Sequence, residues 1–153
     1  MTAKLPITLD SVDAALLERI QHNGRQSVAE LSRSLNMSHS ATAERLRRLE
    51  ENAVISGYAA HCDPERLGYS IMAFIHLRYP SSNYAPLHEL IGQMPEIIEA
   101  HHVTGDDCFI MKVIAGDMRH LEQLSGRVGS LGSVRTSVVY SSPLASRALA
   151  PRA

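Results

Sequence analysis

The sequence predicts an α+β protein of two units. Three short helices form a head, and a strand–helix–strand–strand–helix–strand unit follows it. Two observations carry this. Up to about residue 51 the apolar residues recur at spacings of three and four between helix caps, whereas from Ser70 onward runs rich in branched and aromatic residues alternate with two helical stretches. Between them His61–Gly68, HCDPERLG, holds a proline and little periodicity, and reads as a connection. The division expected is a head over 1–60, a linker over 61–67, a sheet domain over 68–142 and a tail over 143–153.

Each element has its own signal. In LDSVDAALLERIQHNGR, Asp10 and Asp13 favour the positive end of a helix dipole, and Val12, Leu16, Leu17 and Ile20 make one apolar face. Asn23 and Gly24 suit a left-handed stop. Ser27 and Glu30 have capping-box spacing, and Val28, Leu31 and Leu35 follow on one stripe. Asn36 and Met37 interrupt, and Ser38 is a good N-cap for a third helix. Two helices joined by so short a turn form the unit whose second member enters a major groove. Val54–Ala60 is expected to continue as a strand or wing. In the second unit Ser70–Tyr79 predicts a strand, Tyr84–Met94 a helix ended by Pro95, Ile97–Val103 and Cys108–Ala115 two strands turned at Gly105 and Asp106, Met118–Val128 a helix, and Val134–Tyr140 a last strand. That order is the ferredoxin-like βαββαβ arrangement, with both helices on one face of an antiparallel sheet. The other face needs a cover, and a second copy of the chain is the expected one. Ser142–Ala153 reads as an extended tail or edge strand.

On the third helix Thr42, Leu46 and Leu49 share the stripe that packs inward. Ser40, Glu44, Arg47 and Arg48 lie around the opposite stripe, with Ser38 and His39 at the N-terminal end. A charged helical run taken alone is a solvated face. Here the cap, the turn and the two-helix frame make it a candidate reader of double-stranded DNA. Arginine forks suit guanine and phosphate, hydroxyls reach bases or backbone, and Glu44 suits a cytosine amino group or a neighbouring arginine. From residue 25 to 48 five arginines (25, 33, 45, 47, 48) stand against Glu30 and Glu44, although the whole chain has a formal charge of −1. One such helix binds weakly, so two or more are expected to act together.

Composition narrows the class. With 44% hydrophobic and 20% charged residues the 153-residue chain is ordinary for a soluble protein. No run approaches the length of a membrane span, the start lacks a secretory signal, and the two cysteines are too few for a disulfide framework, so a cytoplasmic location is expected.

The segments LDSVDAALLERIQHNGR, AELSRSLNMS, ERLRRLEENAVISGY and HHVTGDDCFIMKV, in this order and spacing, resemble the leucine-responsive and asparagine-responsive regulator family (Lrp/AsnC) from about Leu9 to about Tyr140. The resemblance implies a transcription regulator with a winged or plain helix-turn-helix head and a sheet domain that senses amino acids. It also implies dimers that assemble into octamers or larger discs. Residue by residue, it places Ser38, Ser40, Arg45, Arg47 and Arg48 in the recognition helix, with Arg45 beside the buried stripe, where a structural role or a phosphate contact is expected instead of base reading. It likewise places Thr104, Gly105 and Asp106 in an effector loop that receives a ligand's amino group and carboxylate. Asp107 and Cys108 stand where the family often has an aromatic residue and a second aspartate. Thr136 and Ser137 match the hydroxyls that the last strand presents to that pocket. The chemistry stands independently: a zwitterion needs a carboxylate for its ammonium and amides or hydroxyls for its own carboxylate.

Other classes have weaker support. His61 with Cys62, and His101 with His102 near Cys108, invite a metal-responsive regulator, but neighbours on a strand point to opposite faces and no zinc-type spacing is present. No phosphate loop, nucleophile elbow or carboxylate pair points to an enzyme, and no cofactor is implied. The remaining alternative is an amino-acid-binding module that does not touch DNA.

Overall fold

The computed structural model of the chain describes residues 7–152. Its contacts separate two compact units, one ending at Ala60 but including the segment from Leu144 onward, the other His61–Pro143.

The head contains α1 (Ser11–His22), α2 (Val28–Ser34) and α3 (His39–Glu51). Every start is capped by the side chain the sequence offers. Asp10 and Asp13 form a capping box on α1, Ser27 and Glu30 another on α2, and Ser38 Oγ accepts from the Ala41 amide at 3.2 Å on α3. The lowered pKa of Glu30 has the same origin, since the Ser27 amide and then its hydroxyl donate to the carboxylate. Leu16, Leu17, Leu31 and Leu49 make the core, with Leu9, Ile20, Leu35, Leu46, Val54 and Ile55 packed around them.

The helix stops differ from the sequence expectation. Asn23 is extended, Gly24 is not left-handed, and α1 simply ends with the Asn23 amide on the Arg19 carbonyl at 2.9 Å. The left-handed positions are instead Asn36 after α2 and Ala53 after α3, each with φ of 53°. Both close a Schellman motif. Met37 donates to the Ser32 carbonyl and Asn36 to Arg33, and Val54 donates to Leu49 and Ala53 to Glu50. The second motif also explains why no strand or wing forms over 54–60. The amides of Val54 and Ile55 both bond the Leu49 carbonyl, and their side chains close the head core.

The second unit begins with a 3-10 turn, Glu65–Leu67, stopped by left-handed Gly68. It continues as β1 (Ile71–Arg78), α4 (Ala85–Gly92), β2 (Ile97–His102), β3 (Phe109–Ala115), α5 (Met118–Gly129) and β4 (Ser133–Val138). All pairings are antiparallel and the strand order is β2-β3-β1-β4, the ferredoxin-like topology. Ala73, Ile75 and Leu77 of β1 and Phe109, Met111, Val113 and Ala115 of β3 face the helices, meeting Leu87 of α4 and Leu121, Leu124 and Val128 of α5. Between α5 and β4 the chain passes so close to β1 that a Cβ on Gly132 would lie 2.3 Å from the Arg78 carbonyl oxygen, which restricts the position to glycine. The opposite face carries Met72, Phe74, His76 and Arg78 of β1 beside Ile110, Lys112 and Ile114 of β3, by the strict alternation of the register.

No helix among the described residues is long and apolar enough to cross a membrane.

Candidate functional site

The turn between α2 and α3 presents one side of α3 to solvent, because Thr42 and Leu49 are fully buried on the other. Ser38, His39, Ser40, Glu44 and Arg47 are exposed, and the Ser38 and Ser40 hydroxyls lie 3.3 Å apart. Arg47 keeps 55% of its side chain exposed and is held on the helix surface by its own neighbours. It donates from Nε and Nη2 to Glu44 at 3.1 and 2.5 Å, and from Nη1 to Glu51 at 2.5 Å. These bonds raise the Arg47 pKa further above its usual range and lower that of Glu44. The pairs are solvated and exchangeable, so a phosphate or a guanine edge can replace one of them at small cost.

Arg48 is placed otherwise than the helical wheel suggests, whereas Arg45, which the wheel sets beside the buried stripe, takes a structural role. Both reach back to α1, where the Asp13 carboxylate is buried. Arg45 Nη1 donates to Asp13 Oδ1 at 2.8 Å and to Asp10 Oδ2 at 2.7 Å, and Arg48 Nη2 donates to the other Asp13 oxygen. The Asp13 amide–carboxylate capping pair and Arg45 together lower the pKa of Asp10. The assignment of Arg48 to the outward stripe is therefore corrected. Its side chain is long enough to bend toward a buried anion, which would be costly to leave unpaired, and a wheel drawn from Cβ directions does not register that pull. Arg45 has the structural role too. Asp13, read in the sequence as a dipole partner, is the residue that ties α1 to α3, and no local spacing announces a contact across 32 to 35 residues.

In the sheet unit, residues 103–108 connect β2 to β3, with the Val103 amide donating to the Cys108 carbonyl at 2.8 Å. Gly105 turns with φ of 114°, a conformation that glycine adopts freely. Thr104, Gly105 and Asp106 are exposed and Asp107 is half-buried. Both acids are paired. Arg78 Nη2 lies 3.2 Å from Asp106 Oδ1, while Asp107 Oδ2 accepts from Arg135 Nη2 at 2.7 Å and stands 3.8 Å from His76 Nδ1. His76, Arg78 and Arg135 escaped the sequence reading. Only the register, which sets His76 opposite Arg135, brings them to one face under the loop.

Thr136 and Ser137 do not come together. Register partners Ile75 and Phe74 place Thr136 on the helix side and Ser137 on the opposite face. The Thr136 hydroxyl is hydrogen-bonded to Ser125 of α5. The expectation that both serve one ligand is corrected by the period of two, and only Ser137 shares a face with the partners of Asp107. Cys108 is half-buried, its sulfur accepting from the Tyr79 amide at 3.2 Å. His102 stacks on Phe109 with centroids 4.4 Å apart, and His101 lies 3.6 Å from Glu99. No three His, Cys, Asp or Glu side chains gather as a metal site among the described residues.

Comparison with known proteins agrees with this fold. Residues 9–50 match the AsnC-type helix-turn-helix domain and residues 72–149 the Lrp/AsnC ligand binding domain. The chain is 32% identical over 126 residues to the HTH-type transcriptional regulator FL11 of Pyrococcus furiosus, covering 82% of this chain and 83% of that protein. It is 31% identical over 146 residues to the leucine-responsive regulatory protein of Haemophilus influenzae, covering 91% and 88%. Among solved structures, a transcriptional regulator of Neisseria meningitidis in complex with L-methionine superposes with a TM-score of 0.84 at 26% identity over 93% of this chain and 96% of that one. A capped helix-turn-helix with an exposed arginine, a βαββαβ sheet unit and matches along nearly the whole chain lead to one conclusion: this protein belongs to the Lrp/AsnC family of transcriptional regulators.

Proposed function

We propose that the exposed side of α3, residues Ser38, His39, Ser40, Glu44 and Arg47, reads a DNA operator, and that an amino acid bound at the loop Thr104–Asp107 modulates this. The observation that carries the reading is the exposed Arg47, held only by exchangeable surface carboxylates on a helix whose other side is buried. Residues 1–60 then read DNA, 61–67 link, and 68–142 sense and assemble. The effector's ammonium displaces an arginine from Asp106 or Asp107, and the freed Arg78 or Arg135, with Ser137 and the loop amides, receives its carboxylate. The amino acid acts by binding one assembly better than another, which shifts that equilibrium. The L-methionine complex of the Neisseria regulator supports an amino acid as the ligand class.

The test is binding-site selection on duplex DNA, followed by titration of the selected duplex with and without each amino acid. Arg47→Ala is expected to weaken binding and to reduce the magnitude of the slope of log K against log salt by about 1. Unchanged binding by Arg47→Ala removes α3 from the interface. Failure of every amino acid to shift binding or to give heat in calorimetry overturns the sensor role.

A further inference from the structure

The chain leaves the head at Ala60 and returns to it at Leu144, and the returning segment is held in an unusual way. Gln21, on the last turn of α1, pairs its side-chain amide with the backbone of Leu149. Its Nε2 donates to the Leu149 carbonyl at 2.8 Å and its Oε1 accepts from the Leu149 amide at 2.7 Å. The same Nε2 donates to the Leu17 carbonyl at 3.2 Å, so both of its hydrogens are used and the amide orientation is determined. The clamp grips main chain, not side chain, because Leu149 remains 79% exposed. Burial of apolar surface therefore does not explain why the segment is held.

What the clamp does bring to the head is charge. The residues from Leu144 to Arg152 include Arg147 and Arg152 and no acid. Both arginines are exposed, and among the described residues neither makes an ion pair. Pro143 and Pro151 disfavour a helix, and after a turn at residues 143–145 the segment forms neither helix nor strand. The anchor lies six residues before Ser27, the N-cap of α2, in a turn of α1 that also carries Arg19 and His22, with exposed Arg25 in between. In a helix-turn-helix the first helix of the pair, here α2, crosses the phosphate backbone.

The geometry points to the segment 144–152 as a basic arm, clamped to the end of α1 by Gln21, that binds the DNA phosphates which α2 crosses. This rests on the DNA-binding reading of α3 and adds a second contact surface to it. Phosphate contacts carry no sequence information, so the arm contributes equally to every duplex and its contribution falls with salt.

The experiment is fluorescence anisotropy over a salt series with two duplexes, one selected by the wild-type chain and one scrambled. It compares wild type, Arg147→Ala/Arg152→Ala and Gln21→Ala, all checked for helical circular dichroism. For the double variant the slope magnitude is expected to fall by about 1 to 2 on both duplexes, with the preference between them unchanged. Gln21→Ala, which keeps the charges but frees the arm, is expected to lose part of the same affinity. An unchanged slope in the double variant, a loss confined to the selected duplex, or wild-type binding by Gln21→Ala each overturns the clamped arm while leaving the α3 reading standing. Absence of wild-type binding to any duplex overturns both.

Discussion

Asp13 shows how one residue can decide the form of the head. Its carboxylate is buried between α1 and α3 and is satisfied by Arg45, Arg48 and the Asp10 amide. A buried anion so surrounded is strongly favoured over any state that leaves it bare, and this holds α3 at one angle on α1. Replacing the charge while keeping the shape tests this. Asp13→Asn is expected to lower stability by about 2 kcal/mol, the scale of lost charge-assisted hydrogen bonds, read from urea denaturation followed by circular dichroism. A shift below about 0.5 kcal/mol removes the carboxylate from the account. At this scale the sequence was legible where chemistry is local. The caps at Asp10, Ser27 and Ser38 could be read directly, because a cap and its amide are three residues apart. The arginine partners of Asp13, Asp106 and Asp107 could not, because they arrive from 28 or more residues away.

At the scale of elements, the exposed side of α3 depends on how the helix ends. The Schellman motif after Glu51 turns Val54 and Ile55 into the core, but Ala53 must take a left-handed conformation that an L side chain disfavours. Ala53→Gly removes that conflict. It is expected to stabilise the head by about 0.5 to 1 kcal/mol, seen as a higher midpoint in thermal denaturation, with the exposed side of α3 untouched. A destabilised variant would mean that the Cβ contributes more by packing than it costs by strain. The sequence located each helix and strand to within a few residues, since apolar period and caps lie within the element itself. It misplaced the left-handed stop at Gly24 and expected a wing over 54–60, because an end is settled by what the following residues pack against.

For the whole molecule, the sheet face away from the helices carries Met72, Phe74, Ile110 and Ile114, with Lys112, paired to Glu99 at 2.9 Å, opposite Phe74. Our proposal for this face is a second copy of the chain, whose two heads then address two half-sites. The 153-residue chain is expected to sediment as a dimer or a larger closed assembly. Phe74→Asp is expected to shift it to monomer and to cost DNA affinity on palindromic sites more than on single half-sites. A wild-type monomer at micromolar concentration, or a Phe74→Asp dimer, would mean that this face does not make the assembly.

The sequence by itself determined the order of elements, the caps, the inward stripes and the division into two units, because periodicity and capping are properties of neighbours along the chain. Tertiary structure alone decided that Arg48 turns toward Asp13 while Arg47 stays out, that Thr136 and Ser137 part to opposite faces, that both loop acids face arginines, and that the tail returns to Gln21. Each of these depends on pairing between residues far apart in the chain, where the cost of a bare buried charge and the register of a sheet outweigh anything a local window contains.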